Sequence, residues 1–108
     1  MTKVVVDPGI CGFTARIEVS RIDAETVSVV ILSDCEMVSQ WGAQLGHLDC
    51  RKTLKPPESI FFFESAFRHI SHAACPIPVA VLKALEVEVG AAARGDVSIS
   101  FREVEGSL

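Results

Sequence analysis

The residues of this chain that could do chemistry are its thiols and imidazoles. The 108-residue sequence contains four cysteines and three histidines, and Cys75 follows His72 in the segment HISHAACPIP. Pro76 and Pro78 come next, and proline suits the first turn of a helix but not its interior. Unpaired N–H groups and the macrodipole at such a helix start favour a thiolate over a thiol. We therefore expect Cys75 to be the most acidic thiol of the chain.

Two further cysteines stand where the predicted elements would bring them close to Cys75. Cys11 lies in the turn DPGICG after a first strand, and Cys35 opens a helix after a third strand. In an antiparallel meander these two positions fall at the same end of the sheet. Helices that alternate in direction then return to that end at Cys75. Cys50, just after the first helix, is expected at the opposite end.

A cluster of Cys11, Cys35 and Cys75, with His72 as the best fourth ligand, predicts a site for zinc or an iron–sulfur cluster. Thiolates bind these metals well, and the helix N-termini would offset the accumulated negative charge. Paired CxxC motifs would be a stronger signature, whereas the local spacing here is HxxC. The competing interpretation is that these cysteines are inert, in a turn and at two buried helix starts.

The strands that would position these residues are indicated by hydrophobic periodicity. Residues 3–6 form a β-branched run without polar alternation, which predicts a central strand covered on both faces. Three later segments alternate between apolar and polar residues, as half-buried strands do. The apolar positions are Phe13, Ala15, Ile17 and Val19 in the second strand, Val27, Val29 and Ile31 in the third, and Val97, Ile99 and Phe101 in the last.

Three helices are expected between the third and the last strand. Asp34 is a suitable N-cap for the first and Gly46 a suitable stop; the second begins at Pro57, although SIFFFE could instead form a strand. The third begins near Pro78, is apolar almost all round and therefore buried, and ends near Gly95. The predicted core-facing residues are Met37, Trp41 and Leu45 in the first helix, and Ile60, Phe63, Phe67, Ile70 and Ala74 in the second. Residues 47–57 are left unassigned.

The order β-β-β-α-α-α-β predicts a single α+β domain over residues 1–108, with helices on one face of a mixed four-stranded sheet. A net charge of −4 with scattered basic residues argues against a nucleic-acid-binding face. The apolar runs are shorter than the roughly 20 residues of a membrane span. The N-terminus MTKVVVD does not resemble a signal peptide, so a cytoplasmic protein with reduced cysteines is expected.

Two resemblances accompany these patterns. DPGICGF, SDCE and HAACPIP leading into LKALEVEVG resemble a family of small uncharacterised bacterial and archaeal proteins of unknown function. Separately, residues 75–78 (CPIP) at a helix start are similar to the CPxP motif of TusA-like sulfur carriers. That resemblance implies a persulfide on Cys75, although the motif of those carriers lies near the N-terminus of a smaller domain.

Three hypotheses of function follow. The first is a small metal- or cluster-binding protein. The second is a thiol or persulfide carrier or redox protein in which Cys75 is the nucleophile and Cys11 or Cys35 resolves it. The third is a structural or interaction domain with inert cysteines. No complete signature of an enzymatic reaction is present, since DPGICG lacks the lysine and spacing of a phosphate-binding loop. A protein partner or a homodimer is left open.

Overall fold

The fold is α+β, as predicted, in a computed structural model that describes residues 1–103. A four-stranded sheet has the order β1-β2-β3-β4, and each neighbouring pair is antiparallel. The elements in chain order are β1 (Thr2–Val6), β2 (Ala15–Arg21), β3 (Thr26–Ser33), α1 (Glu36–Leu45), β4 (His47–Asp49), α2 (Cys50–Thr53), α3 (Ser59–His69) and α4 (Ile77–Glu88).

One face of the sheet forms the floor of the hydrophobic core, and the helices cover it. The predicted alternation of β2 and β3 is confirmed, because the apolar residues of one face are buried while their neighbours reach solvent. The buried residues are Ala15, Ile17, Val19, Val27, Val29 and Ile31 from the sheet, with Val38, Trp41, Phe62, Ala66, Val81 and Leu85 among those from the helices. Phe13, which was expected to extend the buried face of β2, precedes the strand and is half exposed.

The sheet differs from the prediction in its fourth strand. The segment at 97–101 has no strand partner among the described residues, and the short strand β4 pairs with β3 instead. The sheet is therefore wholly antiparallel rather than mixed. No strand within residues 1–103 lies beyond β1, so β1 is an edge strand of this sheet rather than a central one, and Lys3 and Val5 face solvent. Alternation of apolar and polar residues indicates that a segment can form a strand, but it does not indicate which strand of the sheet pairs with that segment.

Helix α1 begins one residue later than expected. The carbonyl of Cys35 accepts the first helical hydrogen bond, from the N–H of Ser39 at 2.9 Å, so the N-cap is Cys35 rather than Asp34. The predicted stop is correct: Gly46 follows the helix with a φ of 52°.

Helix α3 is a helix, as predicted, and not the rival strand. Its buried face is formed by Phe62 and Ala66. Of the predicted stripe, Ile70 just after the helix is buried as expected, whereas Ile60 and Phe67 are 55% and 40% exposed. Three consecutive phenylalanines allow either face to be read as apolar, and the structure turns Phe62 toward Trp41 with ring centroids 5.4 Å apart.

Helix α4 begins within one residue of the predicted start and ends earlier than predicted, at Gly90 instead of Gly95. Gly90 has a φ of 77°. Its N–H donates to the carbonyl of Val87 at 3.1 Å, and that of Ala91 donates to Glu86 at 2.8 Å. This is the Schellman pattern, which closes a helix at a glycine. Within residues 1–103, no helix has both the length and the apolar content that crossing a membrane requires.

Candidate thiol site

The strand register brings two of the candidate cysteines to one end of the sheet. Val6 of β1 lies opposite Ala15 of β2, and Ala15 lies opposite Ser33 of β3. Cys11 is in the loop that joins Val6 to Ala15, and Cys35 follows Ser33 closely in sequence. Both cysteines are therefore at this end, which we call the thiol end.

Cys75 reaches the thiol end because of the direction in which α4 runs. The carboxylate of Glu88, at the C-terminus of α4, accepts a hydrogen bond from the hydroxyl of Thr2 at 2.8 Å and another from the N–H of Arg21 at 2.9 Å. These bonds lower the pKa of Glu88 and fix the helix C-terminus at the far end of β1 and β2. Twelve helical residues span about 18 Å, roughly the length of the strands. The start of α4, preceded by Cys75, therefore lies at the thiol end.

His72 arrives at the same end through α3. The indole N–H of Trp41 donates to the hydroxyl of Ser65 at 3.1 Å, and the hydroxyl of Ser71 donates to the sulfur of Met37 at 3.4 Å. The later residue on the α3 side thus contacts the earlier residue on the α1 side, so the two helices are antiparallel. The chain leaves α3 beside the start of α1, and His72 follows as an exposed turn residue whose carbonyl accepts from the N–H of Cys75 at 3.1 Å.

The thiol of Cys75 is half-buried, and its pKa is raised rather than lowered. Burial is the main cause. The main-chain N–H of Ile77 acts in the opposite direction and lowers the pKa, and the nearby thiols of Cys35 and Cys11 raise it further. The expectation that Cys75 is unusually acidic is therefore wrong. Loss of solvation outweighs the helix start, since burial disfavours a thiolate in the way it disfavours any charge. The thiols of Cys35 and Cys11 therefore both lie within electrostatic range of Cys75.

The three thiols are neighbours but not an assembled metal centre. Among residues 1–103, no three Cys, His, Asp or Glu side chains are arranged so that they could hold a metal ion. Cys35 and Cys75 are half-buried, whereas Cys11 is exposed on its loop, where the N–H of Gly12 donates to the carbonyl of Gly9 at 3.0 Å. A metal ion would have to draw the exposed side chain toward the other two.

Cys50 lies at the opposite end of the sheet and is buried there. Its N–H donates to the carbonyl of Glu25 at 2.8 Å, and its thiol lies 3.8 Å from the carbonyl of Ala24. The carboxylate of Asp49 caps α2 by accepting from the N–H groups of Arg51 and Lys52. Cys50 thus packs as part of the hydrophobic core, at a site separate from the other three thiols.

The main-chain donor that was expected at the start of α4 does act on Cys75, although burial outweighs it. The N–H of Ile77 is one of the first-turn groups of α4 that have no partner within the helix, and it lowers the pKa of Cys75 against the larger effect of burial. A cysteine placed two residues before the first helical residue was the available signal.

The raised pKa of Cys75 predicts slow alkylation. At pH 7.5 in metal-free, reduced protein, iodoacetamide should modify exposed Cys11 faster than Cys75, because the reactive thiolate is scarce at a half-buried thiol. The rate at Cys75 should keep rising above pH 8.5, near which a free cysteine is half ionised. Peptide mass spectrometry of timed samples measures both rates.

A matched variant tests the cause of this shift. Cys35→Ser removes a neighbouring thiol and should lower the pKa of Cys75, so that Cys75 reacts faster at a given pH. Cys50→Ser, at the opposite end, should leave the rate at Cys75 unchanged. Faster reaction of Cys75 than of Cys11 at pH 7.5 would contradict the account.

Residues 2–101 match a family model described as a family of unknown function, DUF6951, and the chain belongs to that family. The match includes both β1 and the segment that follows α4. Neither the comparison with curated proteins nor that with solved structures finds a match.

Proposed function

We propose that the protein binds a thiophilic metal ion, zinc foremost, at the thiol end, through Cys11, Cys35 and Cys75 with His72 as the fourth ligand. The observation that carries this proposal is the convergence of three thiols from three distant segments of the chain. One comes from a loop, and two come from the starts of α1 and α4. Thiolate and imidazole together form a ligand set that suits tetrahedral zinc.

Electrostatics at the thiol end favour a cation. The thiols of Cys35 and Cys11 raise the pKa of Cys75 because neighbouring thiolates repel one another. A divalent ion between them reverses that effect, so that its binding releases protons from the thiols. The first turns of α1 and α4 direct unpaired N–H groups toward the same end and offset part of the remaining negative charge.

The positions of the ligands indicate how the site would assemble. Cys35 and Cys75 are already half-buried, so Cys11 and His72 are the residues that must move. Gly9 and Gly12 flank Cys11 with φ values of 88° and 73°, and a Cβ at either would meet nothing within 4 Å. The loop therefore stands clear of the body of the protein and has room to shift toward the two half-buried thiols.

Zinc fits this end better than an iron–sulfur cluster does. Clusters held only by cysteine need four thiolates, and the fourth cysteine of this chain lies at the opposite end of the sheet. Three thiolates and one imidazole instead complete the coordination of zinc.

A zinc titration with single variants tests this proposal. Under anaerobic conditions and in competition with a chromophoric chelator, the wild-type chain should bind one zinc ion. Cys35→Ser and Cys75→Ser should each weaken binding by about 100-fold or more, because loss of a mere outer-shell partner already costs about 10–100-fold.

Cys50→Ser is the control, since serine can also donate to the carbonyl of Ala24 and lies far from the thiol end. It should bind zinc as the wild type does, with an unchanged circular dichroism spectrum. Absence of zinc binding by the wild type, or an equal loss in Cys50→Ser, would refute the proposal.

A dithiol redox protein is the second candidate, favoured by the nearness of the Cys35 and Cys75 thiols, which interact electrostatically at the thiol end. The Cys75 thiolate would attack a small-molecule disulfide and release one small thiol. The Cys35 thiol would then displace the second and form an intramolecular disulfide. In oxidised glutathione, the metal-free chain would lose the mass of two hydrogen atoms. Formation of this disulfide without zinc binding would favour this candidate over the first.

A further inference from the structure

The segment that follows α4 carries an apolar stripe that its own chain leaves uncovered. We call residues 96–102 the arm. Val97, Ile99 and Phe101 alternate with polar residues, and their exposed fractions are 62%, 87% and 101%. Among the described residues, no backbone hydrogen bond involves a residue beyond Ala92. The arm thus has the alternating sequence that is typical of a half-buried strand, but within the described residues its backbone is unpaired and its apolar side chains are exposed.

The sheet ends in an edge that matches the arm. Strand β1 pairs with β2 on one side, and no residue in the described range 1–103 pairs with the other side of its backbone along Thr2–Val6. Val4 and Val6 are only half-buried on the helix-covered face, and Val5 is 68% exposed on the other. An open, β-branched edge is a template for a further strand, which supplies the missing main-chain hydrogen bonds.

We propose that two copies of this chain exchange arms, each arm adding as a fifth strand to the β1 edge of the other copy. A parallel register places Val97 beside Thr2, Ile99 beside Val4 and Phe101 beside Val6. The apolar stripe of the arm then continues the helix-covered face of the sheet, and its serines lie on the solvent face.

Charge agrees with this register. The residue after Phe101 is Arg102 and the residue after Val6 is Asp7, so the same alignment sets a cation beside an anion at the end of the added strand. In the antiparallel register centred on the same pair, Ile99 beside Val4, Asp7 would instead meet Asp96. Charge complementarity therefore selects the parallel direction.

The strand that pairs with the β1 edge comes from a second copy of this chain, because a mutual exchange of arms completes the pairing of both copies. Each copy gives one arm and receives one, so both β1 edges are paired and the exchange closes at two copies. The arm of the isolated chain lies away from its own β1, as the exposure of Ile99 and Phe101 shows. The family match runs from residue 2 to residue 101 and so includes both surfaces.

Light scattering after gel filtration tests the exchange on the full, reduced, metal-free chain. The wild type should elute with twice the chain mass of 11.6 kDa. Ile99→Lys should elute as a monomer, because lysine would lie on the apolar face of the added strand. Since Ile99 is exposed in the single chain, this change should leave the fold of the monomer intact. Ser100→Lys, on the solvent face of the same arm and beside the exposed Val5 of the partner strand, should stay dimeric.

Two further measurements identify the paired surfaces. Backbone amides of β1 should exchange hydrogen more slowly in the wild type and in Ser100→Lys than in Ile99→Lys. Asp7→Lys should weaken the dimer, and adding Arg102→Glu to it should restore dimerisation. A monomeric wild type, whether its arm is free or folded onto its own β1, would overturn the proposal. A dimer that Ile99→Lys leaves intact, or one that gives β1 no protection, would do the same.

Discussion

Replacing Trp41 with alanine should lower the free energy of unfolding by about 3–5 kcal/mol, the usual cost of removing a buried tryptophan or phenylalanine. Trp41 is 1% exposed, its ring meets that of Phe62 edge-on, and its N–H donates to the hydroxyl of Ser65. The change leaves a cavity between α1, α3 and the sheet. Urea unfolding followed by far-ultraviolet circular dichroism measures the loss, since Trp41 is the sole tryptophan and fluorescence would vanish with it.

Two control variants separate the contribution of the Trp41 ring from that of its hydrogen bond and of the helix surface. Gln40→Ala changes the exposed neighbour on the same helix and should shift stability by less than about 0.5 kcal/mol. Ser65→Ala removes the acceptor for the indole N–H but no ring, and should cost about 1–3 kcal/mol, the penalty for a buried donor left unpaired. A Trp41→Ala variant as stable as Gln40→Ala would show that α1 does not pack on the sheet as described.

Leu85→Ala should cost about 2–5 kcal/mol, because a fully buried leucine is replaced by a cavity. Leu85 is 0% exposed on α4, the helix that packs on β1 and β2 and has Cys75 at its start. The same urea experiment gives the size of the loss.

The matched control is Val79→Ala, on the same helix but 47% exposed. Its cost should stay below about 1 kcal/mol, because much of its side chain is already in water. Equal losses in the two variants would contradict the orientation of α4, and with it the placement of Cys75 at the thiol end.

Strong periodicity made much of this fold predictable. Strands β2 and β3 each have one buried face. Their buried residues Ile17, Val19, Val27 and Val29 therefore alternate with polar or exposed residues, and this alternation identifies both segments as strands. The prolines before and within the first turn of α4 fixed its start, because proline fits few other helical positions.

Other elements carry too little local signal. Strand β4 is three residues long, which is too short to show a period. The buried face of α3 was misassigned by one residue because Phe61, Phe62 and Phe63 are all apolar. The arm has the pattern of a strand but does not indicate its partner, and its predicted pairing with the sheet made the sheet mixed. Strand β1 was predicted to be central because its β-branched run lacks polar alternation. Whether a strand lies at the edge or in the centre of a sheet depends on which strands pair with it, and a single sequence does not contain that information.

The arrangement of the thiols was more predictable than their acidity. Alternating strand and helix directions suffice to place Cys11, Cys35 and Cys75 at one end. The acidity of Cys75 depends on a balance that periodicity does not contain. A helix start favours a charge by about 0.3–1 kcal/mol at an exposed position, whereas half-burial and two neighbouring thiols act against the thiolate.

The central claim, that the thiol end is a metal site, is tested most directly by X-ray absorption at the zinc edge. With one equivalent of zinc bound to the reduced wild-type chain, we expect three sulfur ligands at about 2.3 Å and one nitrogen at about 2.0–2.1 Å. Cys75→Ser should remove one sulfur, and Cys50→Ser should leave the spectrum unchanged. A first shell of nitrogen and oxygen alone would contradict the claim.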